Sequence, residues 1–189
     1  YFVQRTQDRF LIFDCGPLGD GGHGHYDALS LEAWAGDKPL VLDPGRYTYA
    51  EGEPNWRHWF RGTQAHNTVT VDGLDQTPYA RSRSSLASAE ATFGGRTRHD
   101  GLDVLDGVVH SPQYEAVHRR RVILVDDAYW IVEDRLSGER THRYDLRWHL
   151  PPEAQCPRPR PGVVHDQGHH RRRCPGRDHF LAQPDPGLR

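Results

Sequence analysis

Alternating and apolar segments, many of them followed by a turn signal, recur through the first 150 residues, and this pattern limits the possible folds most strongly. Side chains that alternate with a period of two indicate half-buried strands, and pairs such as Gly36-Asp37 or Asp72-Gly73 indicate turns. The predicted strands are residues 10–13, 28–35, 39–42, 67–71, 117–125, 129–136 and 144–150, the fifth and sixth forming a hairpin. No stretch shows the periodicity of an amphipathic helix. We therefore expect an all-β fold, an antiparallel multi-stranded β-sandwich or a barrel.

The composition changes at about Cys156. Residues 156–189 contain seven Arg, six Pro and four His but a single aromatic residue, Phe180. Such a segment buries too little apolar surface to offset the chain entropy that folding removes. We predict one β-domain over residues 1–155 and a disordered tail over residues 156–189. A tail that binds metal or polyanions through residues 169–173 is the alternative.

Composition argues against several classes of function. The formal net charge is −2, so the chain has no bulk basic field that would attract nucleic acid. No run approaches the roughly 18 apolar residues of a membrane-spanning helix, so we expect no membrane partner. Three cysteines fit no disulfide framework and no cysteine-type zinc site. The chain contains no methionine, and we expect a processed or truncated sequence.

The densest group of polar side chains precedes the strand at residue 28. His23 and His25 are two residues apart, which places both on one face of an extended chain. Asp43 follows a predicted strand, and His66 begins another. Imidazoles and one carboxylate suit zinc or a similar divalent ion, so a metal site is one interpretation. Ordinary strand-end histidines and a turn-forming aspartate are the other.

Three blocks of residues resemble the heparinase II/III-like family of bacterial polysaccharide lyases, which is related to alginate and oligoalginate lyases. The blocks read GHGHYDALS, LDPGRYTY and WFRGTQAHNTVTVDG, at residues 22–30, 42–49 and 59–73. They occur in the family's order and with short spacings, which is more specific than two histidines alone. The resemblance implies that this chain is the C-terminal β-sandwich domain of such a lyase.

The resemblance also implies roles for individual residues. His25, Asp43 and His66 match the family's metal ligands, and the metal is usually zinc. His23 matches the histidine at the catalytic centre. Tyr47 and Tyr49 belong to a block near the family's active cleft, and either one fits a catalytic role. The ion would organise the site rather than activate water.

The chemistry that the resemblance implies is β-elimination at a uronic acid of an anionic polysaccharide such as heparin, heparan sulfate or alginate. A site for this reaction neutralises the carboxylate, removes the C5 proton and protonates the leaving oxygen. Arg57 and Arg61 are candidate substrate clamps, because a guanidinium matches planar oxyanions; ion pairing on a strand surface is the alternative. Trp59, like Trp56, is a candidate for stacking on sugar, with core packing as the alternative.

In this family an N-terminal helical toroid precedes the β-domain and supplies a catalytic tyrosine. Nothing helical precedes His23 here, so we expect the chain to need that α/α toroid for full activity. The substrates suggest a periplasmic or extracellular location. Two other hypotheses are a cupin-like metal protein and a non-catalytic carbohydrate-binding sandwich. Cupins carry a Glu four or five residues after the second histidine, whereas here the first is Glu32.

Overall fold

The computed structural model describes residues 1–19, 23–81, 87–154 and 180–182, and these residues form three antiparallel sheets. The first sheet contains β1 (Phe2–Arg5), β2 (Arg9–Phe13), β3 (Leu31–Ala35) and β4 (Lys38–Val41). The second contains β5 (Val69–Val71), β10 (His142–Leu146) and β11 (Phe180–Ala182), in the order β11-β10-β5. The third contains β6 (Glu90–His99), β7 (Leu102–His110), β8 (Val117–Val125) and β9 (Tyr129–Ser137). The all-β expectation is confirmed.

The β8–β9 hairpin has the position predicted from the sequence. Its register runs from Val117 opposite Ser137 to Val125 opposite Tyr129. Asp126 and Asp127 between the strands both have positive φ, which short polar side chains tolerate in tight hairpin loops. The two strands therefore meet in the register that their alternating pattern requires.

The first and third sheets pack face to face over one hydrophobic core. Leu11, Phe13 and Leu31 from the first sheet contact a cluster that includes Leu105 and Val122 from the third. The sheets approach closely at Gly107 of β7, where a Cβ atom would lie only 2.6 Å from Sγ of Cys15 and 2.7 Å from Cδ2 of Leu29. This packing is the arrangement of a β-sandwich.

The second sheet packs on a smaller core built around Val69, Val71, Ala116 and Tyr144. Its edge strand β11 pairs with β10 and lies within the segment for which composition predicts disorder. The rest of that segment, residues 156–179 and 183–189 and thus including residues 169–173, lies outside the described residues.

Several local features differ from the sequence expectations: β1, β6 and β7 lie where no strand was predicted, and β10 ends at Leu146 rather than at residue 150. Residues 56–61 form a helix, α1 (Trp56–Arg61), followed by a 3₁₀ turn (Thr63–Ala65), although no helix was predicted. The predicted strand at residues 28–35 begins only at Leu31, because Leu29 has φ of 64° and breaks the extended backbone. None of the helical segments in the described ranges is long and apolar enough to cross a membrane.

Candidate functional site

His25, Asp27 and His66 lie together beside the first sheet, although they come from two segments that are distant in the sequence. One candidate ligand atom from each of these residues lies within 4.8 Å of the others. The rings of His25 and His66 stack with centroids 5.0 Å apart. His25 and Asp27 precede the turn into β3, and His66 follows the 3₁₀ turn. The fold therefore places two imidazoles and a carboxylate in one cluster.

Asp43 approaches His66 from the end of β4. Nδ1 of His66 donates to Oδ2 of Asp43 at 2.5 Å, and the backbone N–H of Gly45 donates to Oδ1. Burial opposes ionisation of Asp43, but the hydrogen bond and the charge of His66 outweigh it and lower the pKa of Asp43. Burial also opposes the charge on His66, whose pKa is nevertheless raised by Asp43 and Asp27. Asp43 thus holds the His66 ring from its Nδ1 side.

The donor set fits a divalent metal ion. Nε2 of His66 is buried and has no hydrogen-bond partner, which is costly unless another group occupies that position. Burial and the neighbouring His66 lower the pKa of His25 to about 4, so this imidazole stays neutral and can donate a lone pair. Burial raises the pKa of Asp27 to about 7. His25 and His66, with Asp43 or Asp27, are the residues that would hold the ion.

His23 stands beside this cluster and contacts Tyr49. The Tyr49 hydroxyl oxygen lies 3.4 Å from Nδ1 of His23, and both side chains are exposed. Arg46 places its guanidinium carbon 4.4 Å from the centre of the Tyr49 ring and donates to the backbone oxygen of His23 at 2.6 Å. A cleft of about 540 Å³ borders His23, His25 and Asp27. An open imidazole–phenol pair therefore lies next to the candidate metal ligands.

Tyr47 and Trp59 belong to an aromatic cluster centred on Phe60 of α1. Tyr47 is 73% exposed, has φ of 61° and stacks on Phe60 with centroids 5.0 Å apart. Trp59 packs edge-on against Phe60 at 4.7 Å, and Trp56 lies 6.3 Å from the same ring. Positive φ at a bulky residue is strained, and such strain is often found at functional sites. Tyr47 therefore faces solvent beside α1, whereas Tyr49 faces His23.

Arg57 and Arg61 are buried, and both bind backbone oxygens. Arg61 donates to Gly24 at 2.8 Å and also to Ala80, and its guanidinium lies over the Tyr26 ring. Arg57 donates to the backbone oxygen of Arg81 at 2.6 Å. The contact of Arg61 with Gly24 ties α1 to the segment that carries His23 and His25, and the other two contacts tie α1 to residues 80–81. Their role as substrate clamps stays a prediction, and the hydrogen bonds of Arg61 that the structure describes are with the backbone.

Asp27 is the member of the cluster that sequence reasoning did not select. It lies two residues after His25 and four after His23, so an extended backbone would place all three on one face. This spacing of two residues was the sequence feature from which Asp27 could have been selected as a candidate ligand.

Comparison with known proteins identifies one family to which the chain is similar. The family model described as heparinase II/III-like, C-terminal, matches residues 1–183. A heparin-sulfate lyase of Bacteroides stercoris is 34% identical over 134 residues, which is 68% of this chain and 18% of the relative. A heparin-sulfate lyase of Pedobacter heparinus is 25% identical over 143 residues, which is 74% of this chain and 20% of the relative. This chain thus spans about a fifth of the length of these relatives.

Solved structures show the same fold. The heparinase III-BT4657 gene product superposes with a TM-score of 0.66 and 29% identity, over 79% of this chain and 22% of that one. The heparan sulfate lyase HepC from Pedobacter heparinus gives a TM-score of 0.62 at 24% identity, over 76% of this chain and 21% of that one. The second likeness shows the fold alone.

Proposed function

The chain belongs to the heparinase II/III-like family of polysaccharide lyases, and we propose that it supplies part of an active site that cleaves uronic-acid-containing glycans by β-elimination. The observation that carries this proposal is the pairing of His23 with Tyr49 beside the His25–Asp27–His66 cluster. A cupin-like metal protein would not carry the three sequence blocks that match the family.

In the proposed reaction a base removes the C5 proton of the uronate. The electron pair left behind forms the C4=C5 double bond, the C4–O bond breaks, and the leaving oxygen takes up a proton. Histidine and tyrosine suit both proton transfers. His23 and Tyr49 are exposed and adjacent, so we assign the transfers to this pair. The positive charge of Arg46 lies against the Tyr49 ring, so we propose that it attracts the anionic substrate to this pair.

We propose that His25, Asp43 and His66 hold the divalent ion, most simply zinc, with Asp27 as the neighbouring carboxylate. A bound ion supplies a fixed positive charge and rigid geometry. His25 is two residues from His23, so fixing His25 also fixes the backbone that orients the His23 ring. The buried and unpaired Nε2 of His66 supports this role for the cluster.

We also propose what completes the active site and which substrate the whole protein cleaves. Because the chain spans about a fifth of its relatives, we propose that an N-terminal helical toroid completes the cleft. The relatives are named heparin-sulfate lyases, which favours a heparin- or heparan-sulfate-like substrate over alginate. A periplasmic or extracellular location follows from such a substrate.

A non-catalytic carbohydrate-binding domain is the second candidate, and one observation favours it. Tyr47, Tyr49 and Trp56 are all exposed, and exposed aromatic rings stack readily on sugar faces. That function needs the aromatic surface but does not need the paired His23 or the buried His25–His66 cluster.

One assay separates the two candidates. The chain is joined to a helical toroid domain from its own genomic context and mixed separately with heparin, heparan sulfate, hyaluronan and alginate. The expected result is growing ultraviolet absorbance from the C4–C5 double bond with at least one uronide. Binding to these glycans without any new absorbance would instead support the carbohydrate-binding domain.

A further inference from the structure

A buried arginine lies beneath the candidate metal site and contacts two of the segments that form it. Arg120 is at the middle of β8, and its side chain is fully buried. It lies in the run His118-Arg119-Arg120-Arg121, whose members point alternately inward and outward. Arg119 and Arg121 pair with Asp106 on the outer face of the sheet, whereas Arg120 points into the sandwich. A charge in this position requires close pairing.

Asp134 provides that pairing from the neighbouring strand. It lies directly opposite Arg120 in the β8–β9 register. Nε and Nη2 of Arg120 donate to the two carboxylate oxygens at 2.7 and 3.0 Å. His118 donates to the same carboxylate at 2.6 Å, and the Trp148 ring lies 5.3 Å from the guanidinium carbon. The guanidinium is therefore held in one orientation.

The remaining nitrogen of Arg120 reaches the site's backbone. Nη1 donates to the carbonyl oxygen of Leu29 at 2.7 Å and to that of Asn67 at 2.5 Å. Leu29 is two residues after Asp27 and has positive φ, and Asn67 directly follows His66. One planar group thus binds both segments at fixed spacing.

Asn67 extends the connection to the third segment. Its side-chain amide donates to the carbonyl oxygens of Leu31 and Leu42, and Leu42 directly precedes Asp43. Its Oδ1 accepts a hydrogen bond from the backbone of His149. Arg120 and Asn67 together therefore contact the backbone next to every segment that contributes a candidate ligand.

We propose that Arg120, oriented by Asp134, is a positioning residue that sets the spacing of the metal-binding segments. A buried ion pair is weak evidence for stability, because apolar residues of similar size can replace it without loss. The fork of Nε and Nη2 fixes the guanidinium on Asp134, so that Nη1 holds the two backbone oxygens at a set distance, and a flexible lysine cannot make both sets of contacts. This role rests on the proposed metal site. It predicts that the affinity for metal, and not only the stability of the fold, depends on Arg120, although Arg120 does not contact the side chain of any candidate metal ligand.

The test measures the zinc dissociation constant of the full chain and of three variants, each checked for folding by near-ultraviolet circular dichroism. Arg120→Lys keeps the charge but loses the fork, and we expect at least tenfold weaker zinc binding. The double variant Arg120→Met with Asp134→Leu removes both charges and leaves neither one buried alone, and we expect the same loss. Leu124→Ala, further along the same inward face of β8, should lower the melting temperature and leave zinc affinity unchanged.

The outcomes are distinct. Wild-type zinc affinity in either folded Arg120 variant overturns the proposal, and so does an equal loss in Leu124→Ala. Absence of zinc binding by the unaltered chain contradicts the metal site itself and Arg120's role with it. If neither Arg120 variant folds, hydrogen exchange of the unaltered chain decides. Zinc should then slow exchange in residues 118–122 as well as 66–68 but not in 91–98 of β6, and slowing confined to 66–68 overturns the proposal.

Discussion

Asp43 and His66 are 23 residues apart in the sequence, yet Oδ2 of Asp43 lies 2.5 Å from Nδ1 of His66. The contact joins the end of β4 to the segment after the 3₁₀ turn. It leaves Nε2 of His66 buried and unpaired beside His25 and Asp27. One hydrogen bond therefore joins two of the three segments that form the candidate site and fixes the orientation of the His66 ring.

The choice between the two carboxylates can be tested by substitution. Asp43→Asn should weaken zinc binding more than Asp27→Asn does, because Asp43 is the proposed ligand and also contacts His66. Even loss of an orienting partner costs about 10- to 100-fold in metal affinity. Equilibrium dialysis with zinc measures both variants. The reverse order would assign the carboxylate ligand to Asp27.

Tyr49 and Tyr47 should differ in their effect on turnover. Tyr49→Phe removes the hydroxyl beside His23, and we expect kcat of the toroid-linked protein to fall by roughly 10²- to 10⁴-fold, as for loss of a proton-transfer group. Tyr47→Phe keeps the stacking on Phe60 and should retain most of the activity. Zinc content should be unchanged in both. Equal losses would contradict the assignment of Tyr49.

Arg61 should act mainly through the backbone it holds. Arg61→Met leaves the carbonyl oxygens of Gly24 and Ala80 without this donor, and each unpaired buried group costs roughly 1–3 kcal/mol. We expect a lower free energy of unfolding by urea titration. Gln64→Ala, at an exposed position close by, serves as the control. A raised KM with unchanged stability would show instead that Arg61 is a substrate clamp.

His142, at the start of β10 in the second sheet, should make the stability of the fold depend on pH. Nδ1 of His142 contacts Asp72 at 2.7 Å, and Nε2 contacts Glu115 at 2.8 Å. The hydrogen bonds to Asp72 and Glu115 raise the pKa of His142. The pKa of Asp72 is lowered against its burial by Arg143 N–H and His142, and that of Glu115 by His142 and Arg140.

The signs of these shifts define a pH window. A histidine whose pKa is raised in the folded state stabilises that state fully at pH values below its ordinary pKa of about 6.5. This contribution is lost as pH rises through the pKa of the folded state. Lowered carboxylate pKa values stabilise above their ordinary values of about 4, and this contribution is lost in acid. The melting temperature of His142→Asn should therefore fall furthest below wild type near pH 5–6, and the difference should shrink as pH rises through the raised pKa of His142. A constant difference across pH would contradict the ionic role of His142.

The β8–β9 hairpin was predictable because both strands alternate cleanly and Asp126-Asp127 marks the turn. The β6–β7 hairpin has an equally good signal in Asp100-Gly101, but the pairing register shifts between Phe93 and Gly95 and interrupts the pattern. Helix α1 is only six residues long, too short to show helical periodicity.

For the candidate site, too, some residues could be predicted from the sequence and some contacts could not. His23, His25, Asp43 and His66 were selected from their sequence blocks, and the structure brings the last three into contact with one another or with Asp27. The contacts of Arg61 and Arg120 were not predictable, because both bind backbone oxygens. Which carbonyl faces a given guanidinium depends on the packing of elements that are distant in sequence.

The division of roles between the two histidines of the first block is the central claim, and His23→Ala tests it most directly. The toroid-linked variant is measured for bound zinc per chain and for growth of C4–C5 double-bond absorbance on the uronide that the unaltered protein cleaves. The account predicts an unchanged zinc content with turnover lost, because His23 lies outside the His25–Asp27–His66 cluster and faces Tyr49. Loss of zinc, or retention of full turnover, would contradict it.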